Sequence, residues 1–302
     1  MRQRRKMLKD IRYRIEFTFL WLVIGLFRLL PLKAASYVGA RIAQSIRFLL
    51  SGKNKIARYQ IANYLKHPEP EIVLPGLWEN LGRLAGEYPH LLTLAKNNIE
   101  FENIENLERA RKDYKGLFLV SAHMANWEIL PPAMLHHFGV NMHAVYRRPN
   151  NPYTARYLEN LRENAAGKDH HFHTLAKSSK GARAMLKLMK QGKPIGLLID
   201  QKYNQGSPLP FFNHPANTST SYITLCQKMD YAILPGQVIR HKDDPTRFSL
   251  RFFPPISLQD QTGNNRDEDD IATQLNTLME HWIREHPEQW LWIHKRWGKI
   301  KT

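Results

Sequence analysis

Residues 116–130 read GLFLVSAHMANWEIL: an apolar run ending on Ser121-Ala122-His123, with Glu128 five positions beyond the histidine. The run is short and apolar throughout, which fits a strand buried on both faces. Short apolar or alternating runs recur at MHAVYR (142–147), PIGLLID (194–200), AILPGQVIR (232–240) and RFSLRFFPPI (247–256). Helical stretches such as NPYTARYLENLRENA and KGARAMLKLMKQG lie between several of them. Strands separated by helices need crossover connections, so the pattern predicts an α/β fold with a mostly parallel central sheet flanked by helices. The last two runs, joined by HKDDPT, predict a hairpin.

Upstream, residues 34 to about 97 carry apolar residues at three and four spacings with Pro and Gly punctuation, and no strand-like segment interrupts them. The organisation predicted is therefore a basic N-terminus with a single anchor or interfacial helix (1–33), a helical region (34–110) and an α/β core (111–302). DQTGNNRDEDD (260–270) predicts an exposed loop, followed by the helix IATQLNTLMEHWIREHP.

Residues 2–14 are dense in Lys and Arg, and FTFLWLVIGLFRLLPL (17–32) follows, interrupted by Arg28 and Pro31. A spanning helix needs about 20 apolar residues. The segment has no small-x-small cleavage site after it, so it reads as a retained element that dips into or lies on a bilayer, its basic flanks against anionic headgroups. An ordinary buried N-terminal helix is the other reading. Formal net charge is +17 at pH 7, which calls for an anionic partner: nucleic acid, lipid or an acidic protein. Cys226 is the single cysteine, which excludes an internal disulfide and a multi-thiolate zinc site; among apolar neighbours it reads as an inert buried thiol.

In open sheets of this kind ligands bind beyond the carboxyl ends of the strands. Three run ends carry polar groups there: Ser121-Ala122-His123, Tyr146-Arg147-Arg148 and Asp200-Gln201. On one continuous helix, His123 and Glu128 would point about 140° apart. They converge only if the strand ends at His123 and a helix begins near Asn126, with Asn126 as N-cap and Glu128 in its first turn. Such a pair supports general-base removal of a hydroxyl proton, the carboxylate fixing the imidazole. No G-x-S-x-G elbow is present, so the hydroxyl would belong to a substrate or to water. Spacing alone leaves both readings open, catalytic pair or strand-to-helix junction.

Five ordered segments carry a resemblance that favours catalysis. HMANWE resembles the His-x4-Asp/Glu motif of the lysophospholipid acyltransferase superfamily, in the form found in bacterial late acyltransferases of lipid A biosynthesis. VYRRPNNP, LLIDQ, PFFNHPANTSTS and HPEQWLWIHKRW are similar to that family's later segments, in order. The resemblance implies a glycerol-3-phosphate acyltransferase-like sheet, with His123 as general base and Glu128 as its orienting partner. It also implies substrate-binding roles for Asn126, Arg147, Arg162, Asp200 and Gln201, the arginines suiting acceptor phosphate or donor phosphopantetheine. Ala125 stands where the motif commonly has glycine. The implied donor is an acyl carrier protein thioester and the acceptor a hydroxyl of an anionic lipid A precursor. The implied place is the cytoplasmic face of the bacterial inner membrane, and no metal or redox cofactor is required. Acyl-CoA-dependent transfer to another glycolipid or a lysophospholipid is the enzymatic alternative. A non-catalytic basic membrane or nucleic-acid binder is the alternative of another class.

Two other signals have simpler readings. KDHHFH (168–173) groups His170, His171 and His173, but adjacent histidines do not share a face and no carboxylates support a metal there. Trp290, Trp292 and Trp297 alternate with basic residues, as in a single-strand stacking surface, yet no RNP, OB or helix-turn-helix pattern accompanies them and no nucleic-acid partner is expected. A membrane interface or core packing of the final segment fits as well.

Overall fold

The computed structural model describes residues 2–167, 173–176 and 178–298. A helical block comes first: α1 (Arg2–Leu29), α2 (Leu32–Ile46), α3 (Ser51–Gln60), α4 (Pro70–Glu87) and α5 (Leu91–Asn97). Then follow β1 (Ile99–Glu102), α6 (Ile104–Asp113), β2 (Gly116–Ser121), α7 (Leu130–Phe138), β3 (His143–Tyr146), α8 (Pro152–Ala166), β4 (His173–Ala176), α9 (Ser179–Lys190) and β5 (Ile195–Leu198). The chain continues through β6 (Ser207–Phe211), β7 (His214–Thr218), α10 (Ser221–Met229), β8 (Tyr231–Arg240), β9 (Phe248–Phe252) and α11 (Glu268–Glu285).

Among the described residues the main sheet runs β1-β9-β8-β2-β5-β3-β4, parallel throughout except for the antiparallel β8–β9 hairpin. Alternate β2 residues explain its unbroken apolar run: Phe118 and Val120 enter the core on one face, Leu117 and Leu119 the core on the other. All five predicted strands are present. Sequence reading passed over β1, β4 and the separate β6–β7 hairpin; β1 pairs with β9 and so brings a sheet strand into the stretch read as purely helical. His170 and His171 lie outside the described residues, and the described residues hold no cluster of His, Cys, Asp or Glu able to bind a metal. Cys226 is buried, and burial pushes its thiol pKa upward, as an inert residue requires.

No helix of the described residues is long and apolar enough to cross a membrane. Instead α1 lies against the domain on one face. Phe27 and Ile24 are buried, Phe17 packs its ring on Tyr153 and Tyr157, and Asn151 donates to the Tyr13 carbonyl at 2.8 Å. Its other face is apolar and uncovered: Ile15 is 65% exposed, Phe19 70% and Leu29 83%, in line with Leu8, Ile11, Leu22 and Leu26. At ~100° per residue these seven side chains fall within a stripe about 80° wide.

Helices α2 and α4 approach until backbone meets backbone: a Cβ on Gly39 would stand 2.3 Å from the Gly82 carbonyl oxygen, and one on Gly86 2.1 Å from that of Ala35. This contact delivers Glu87 into the interior, where Ser36 Oγ donates to it at 2.7 Å. Arg240, at the end of β8, grips the same carboxylate at 2.5 and 2.9 Å, and Asn126 Nδ2 donates to it at 2.9 Å. Both charges are almost fully shielded from solvent, so removing one leaves the other buried and unpaired. Glu87→Ala should therefore cost about 3–5 kcal/mol in denaturant unfolding, and Glu87→Gln, which keeps an acceptor, less. Equal stability of wild type and Glu87→Ala would refute this account.

Candidate active site

The parallel pairing of β2 with β5 builds the centre of the site. Its register sets Ser121 against Leu198, and two residues further along each strand come His123 and Asp200. The Asp200 carboxylate, itself buried, accepts from His123 Nδ1 at 2.7 Å and from the His123 backbone N–H at 2.9 Å. Trp290 Nε1 donates to its second oxygen at 2.7 Å. Burial alone would raise this carboxyl's pKa; the charge of His123 and these hydrogen bonds outweigh burial and hold it down at about 2. Because that value lies below the unfolded one, the stability Asp200 contributes is present above about pH 4 and is lost as pH falls toward 2. Asp200 is thus ionised at neutral pH and the proton sits on Nδ1, which leaves Nε2 as a hydrogen-bond acceptor. Gln201 Nε2 sits 3.1 Å from that nitrogen.

Glu128 has a different partner from the one its motif position suggested. Arg162, from α8, forks onto it with Nε at 2.8 Å and Nη2 at 2.6 Å, and both side chains are mostly buried. Burial by itself would lower the arginine's pKa; the hydrogen bonds and charge of Glu128 more than reverse this, so the guanidinium stays charged. The carboxylate that meets the His123 imidazole is therefore Asp200, and Arg162 pairs with Glu128 through Nε and Nη2 while its buried Nη1 has no hydrogen-bond partner. The arginine also lies over the Tyr146 ring, 5.1 Å from its centroid.

Asn126 does not cap the following helix as its position suggested: it is fully buried, makes no capping bond, and donates its amide to Glu87. Beside it Ala125 takes φ +48°, a left-handed conformation that explains why glycine suits this position. The strain is contained by Ala125 N–H donating to the Gln289 carbonyl at 3.0 Å and Asn80 donating to the Ala125 carbonyl at 3.2 Å.

His123, Glu128, Arg147, Arg162 and Gln201 all line one cavity of about 410 Å³ beyond the ends of β2, β3 and β5. Its body is apolar: Leu119, Leu130, Met142, Val145 and Leu197 contribute, and Gly196 leaves the wall thin where a Cβ would stand 3.2 Å from Met142 Cε. Arg147 is exposed at the rim and has no ion pair among the described residues, whereas Arg148 pairs with Glu159 at 3.2 Å. The residue sequence reading missed is Trp290. Its signal was the C-terminal segment HPEQWLWIHKRW, whose Trp290 and Trp292 lie in the core and offer no stacking surface.

An imidazole lining an apolar, chain-sized cavity matches what whole-chain comparison finds. A model of the bacterial lipid A biosynthesis acyltransferases matches residues 4–299. The chain belongs to that family. It is 26% identical over 292 residues to the lipid A biosynthesis palmitoleoyltransferase of Escherichia coli (strain K12), covering 91% of this chain and 88% of that protein. It is 25% identical over 204 residues to the lauroyltransferase of the same organism, covering 65% of this chain and 61% of that protein. A lipid A biosynthesis acyltransferase of Haemophilus influenzae (strain ATCC 51907 / DSM 11121 / KW20 / Rd) matches at 26% over 200 residues, covering 65% of this chain and 59% of that protein. The chain is accordingly an O-acyltransferase of lipid A biosynthesis.

The two carboxylates can be told apart by experiment. Asp200→Asn should lower kcat by about 10²- to 10⁴-fold, since it weakens the imidazole's orientation and charge balance, with the profile against pH altered. Glu128→Gln, which keeps the side chain's shape, should instead loosen Arg162 and raise KM more than it lowers kcat. The reverse ranking in steady-state kinetics would return the orienting role to Glu128.

Proposed function

We propose that the protein transfers a fatty acyl chain from an acyl carrier protein thioester to a hydroxyl of a lipid A precursor, with His123 as general base. The observation that carries this is the Asp200–His123 contact, which leaves Nε2 facing the apolar cavity with Gln201 as its nearest polar neighbour. An acceptor hydroxyl takes the place of the Gln201 amide at Nε2, gives up its proton there and attacks the thioester carbonyl. The imidazolium formed is stabilised by Asp200, and its proton then passes to the departing thiolate. Each methylene of the acyl chain buried between Leu119, Met142 and Leu197 contributes ~0.8 kcal/mol. Arg147, unpaired at the rim, faces an anionic part of either substrate.

The acyl carrier protein is an acidic partner that suits a chain of net charge +17. The outward stripe of α1, with basic residues around its N-terminal half, suits the cytoplasmic surface of the inner membrane. The chemistry asks for no metal or redox cofactor.

Three measurements test the reading. Mass spectrometry after incubating the purified protein with acyl carrier protein thioester and lipid A precursor should show one added acyl chain; no product with either this donor or acyl-CoA would sink the proposal. Gly196→Val should shift donor preference toward shorter chains in a competition between thioesters, without changing the pH profile. Ile15→Asp/Phe19→Asp should weaken binding to anionic phosphatidylglycerol-containing vesicles by about tenfold or more, as expected from burying two large apolar side chains.

A further inference from the structure

A second hollow, of about 370 Å³, adjoins the catalytic cavity, and Leu291 lines both. Its other walls are Lys53, Ile56, Ile293, His294 and Lys295, with no carboxylate among them. The shared wall is tied to the catalytic residue through its backbone, as the Leu291 N–H donates to the His123 carbonyl at 3.2 Å. The opposite wall is equally fixed. Lys53, Ile56 and Gln60 fall on one face of α3, and Gln60 Nε2 donates to the carbonyls of Trp292 at 2.5 Å and His294 at 2.8 Å.

The polar groups here have unspent capacity. Lys53 and Lys295 are exposed and have no ion pair among the described residues, whereas exposed Lys33 and Arg58 are paired with Asp244 and Glu71. His294 Nε2 accepts the Lys202 N–H at 3.2 Å, so the neutral ring presents Nδ1–H as a donor. Burial, with the charges of His123, Arg296 and Lys53 adding to it against Asp200, lowers this histidine's pKa to about 4, which keeps the ring neutral at pH 7. Two lysines and an imidazole N–H over an apolar floor form a receptor for an oxyanion attached to a lipid or a pantetheine arm.

We propose that this hollow is a phosphate-binding subsite, which anchors a phosphate group of one of the two substrates while acyl transfer takes place at His123. The proposal rests on the acyl-transfer reading above. The phosphate belongs either to the acceptor glycolipid or to the donor's phosphopantetheine, and kinetics separates these sources.

Lys53→Ala/Lys295→Ala should raise KM about tenfold for whichever substrate carries the recognised phosphate, with kcat within about twofold, as lost charge-assisted contacts predict. If the acceptor is the source, its phosphate-free analogue shows no further loss in the variant. If the donor is, the KM for the acyl carrier protein thioester rises and that for the acceptor does not. Lys96→Ala/Lys112→Ala removes the same charge elsewhere on the surface and should change neither KM. Unchanged KM values for both substrates, or an equal rise in this control, would overturn the subsite. Should the wild type transfer no acyl group, that reading falls by itself, and calorimetric titration with inorganic pyrophosphate still decides the subsite. Binding by the wild type that is lost in Lys53→Ala/Lys295→Ala supports it; absent or equal binding refutes it.

Discussion

The site depends on a buried charge pair remote from the chemistry. Glu87 and Arg240 would each be costly inside a protein, and they are tolerated because almost every lone pair and N–H is answered: Ser36, Asn126, Asn80 and the Pro245 carbonyl complete the set. Each partner comes from a different part of the chain. The pair therefore joins the helical block, the end of β8 and the turn after His123 into one rigid unit. Gln289 adds a second tie, accepting from the Arg240 N–H at 2.8 Å while its own carbonyl receives Ala125. The glycine contact between α2 and α4 follows from the same need, since any larger residue there would push Glu87 away from Arg240.

Rigidity at that turn keeps two carboxylates apart: Glu128 lines the cavity, and Asp200 stands buried behind His123. Asp200 lies under the imidazole, where its fixed negative charge favours the protonated form of the ring. Glu128 lies on the far side of the turn, neutralised by the Arg162 fork, and holds α8 against the start of α7. Had Glu128 been the imidazole's partner, Arg162 would be a buried cation without its carboxylate. The observed arrangement pays that cost nowhere.

Much of the fold was legible because buried parallel strands must be apolar throughout, and β2, β3, β5 and β8 announced themselves in that way. β1 did not: IEFE alternates charge with apolar residues, since it lies at the sheet edge. Four residues of β4 and the Pro-containing strands of the β6–β7 hairpin carry too little pattern to be seen. In the site, proximity along the chain misled. His123 and Glu128 share a motif, whereas the carboxylate that bonds the imidazole stands 77 positions away and becomes adjacent only through the β2–β5 register. LLIDQ did mark Asp200 and Gln201 as site residues. What a single sequence lacks is the pairing of strands, which is where carboxylate roles are decided.

The same limit governed the N-terminus. Counting apolar residues in 17–32 separates spanning from non-spanning segments, but it does not tell which side of a helix is covered. The structure divides α1 into a face packed on α8 through Phe17, Tyr153 and Tyr157 and a face left open to the surroundings. α8 is also the helix that supplies Arg162 to the catalytic cavity. On the proposed reading, one helix therefore separates the bilayer-facing stripe from the site. A lipid acceptor then reaches Nε2 by sliding its headgroup inward, its tails staying in the apolar phase, and avoids exposing its chains to water on the way to a soluble active site.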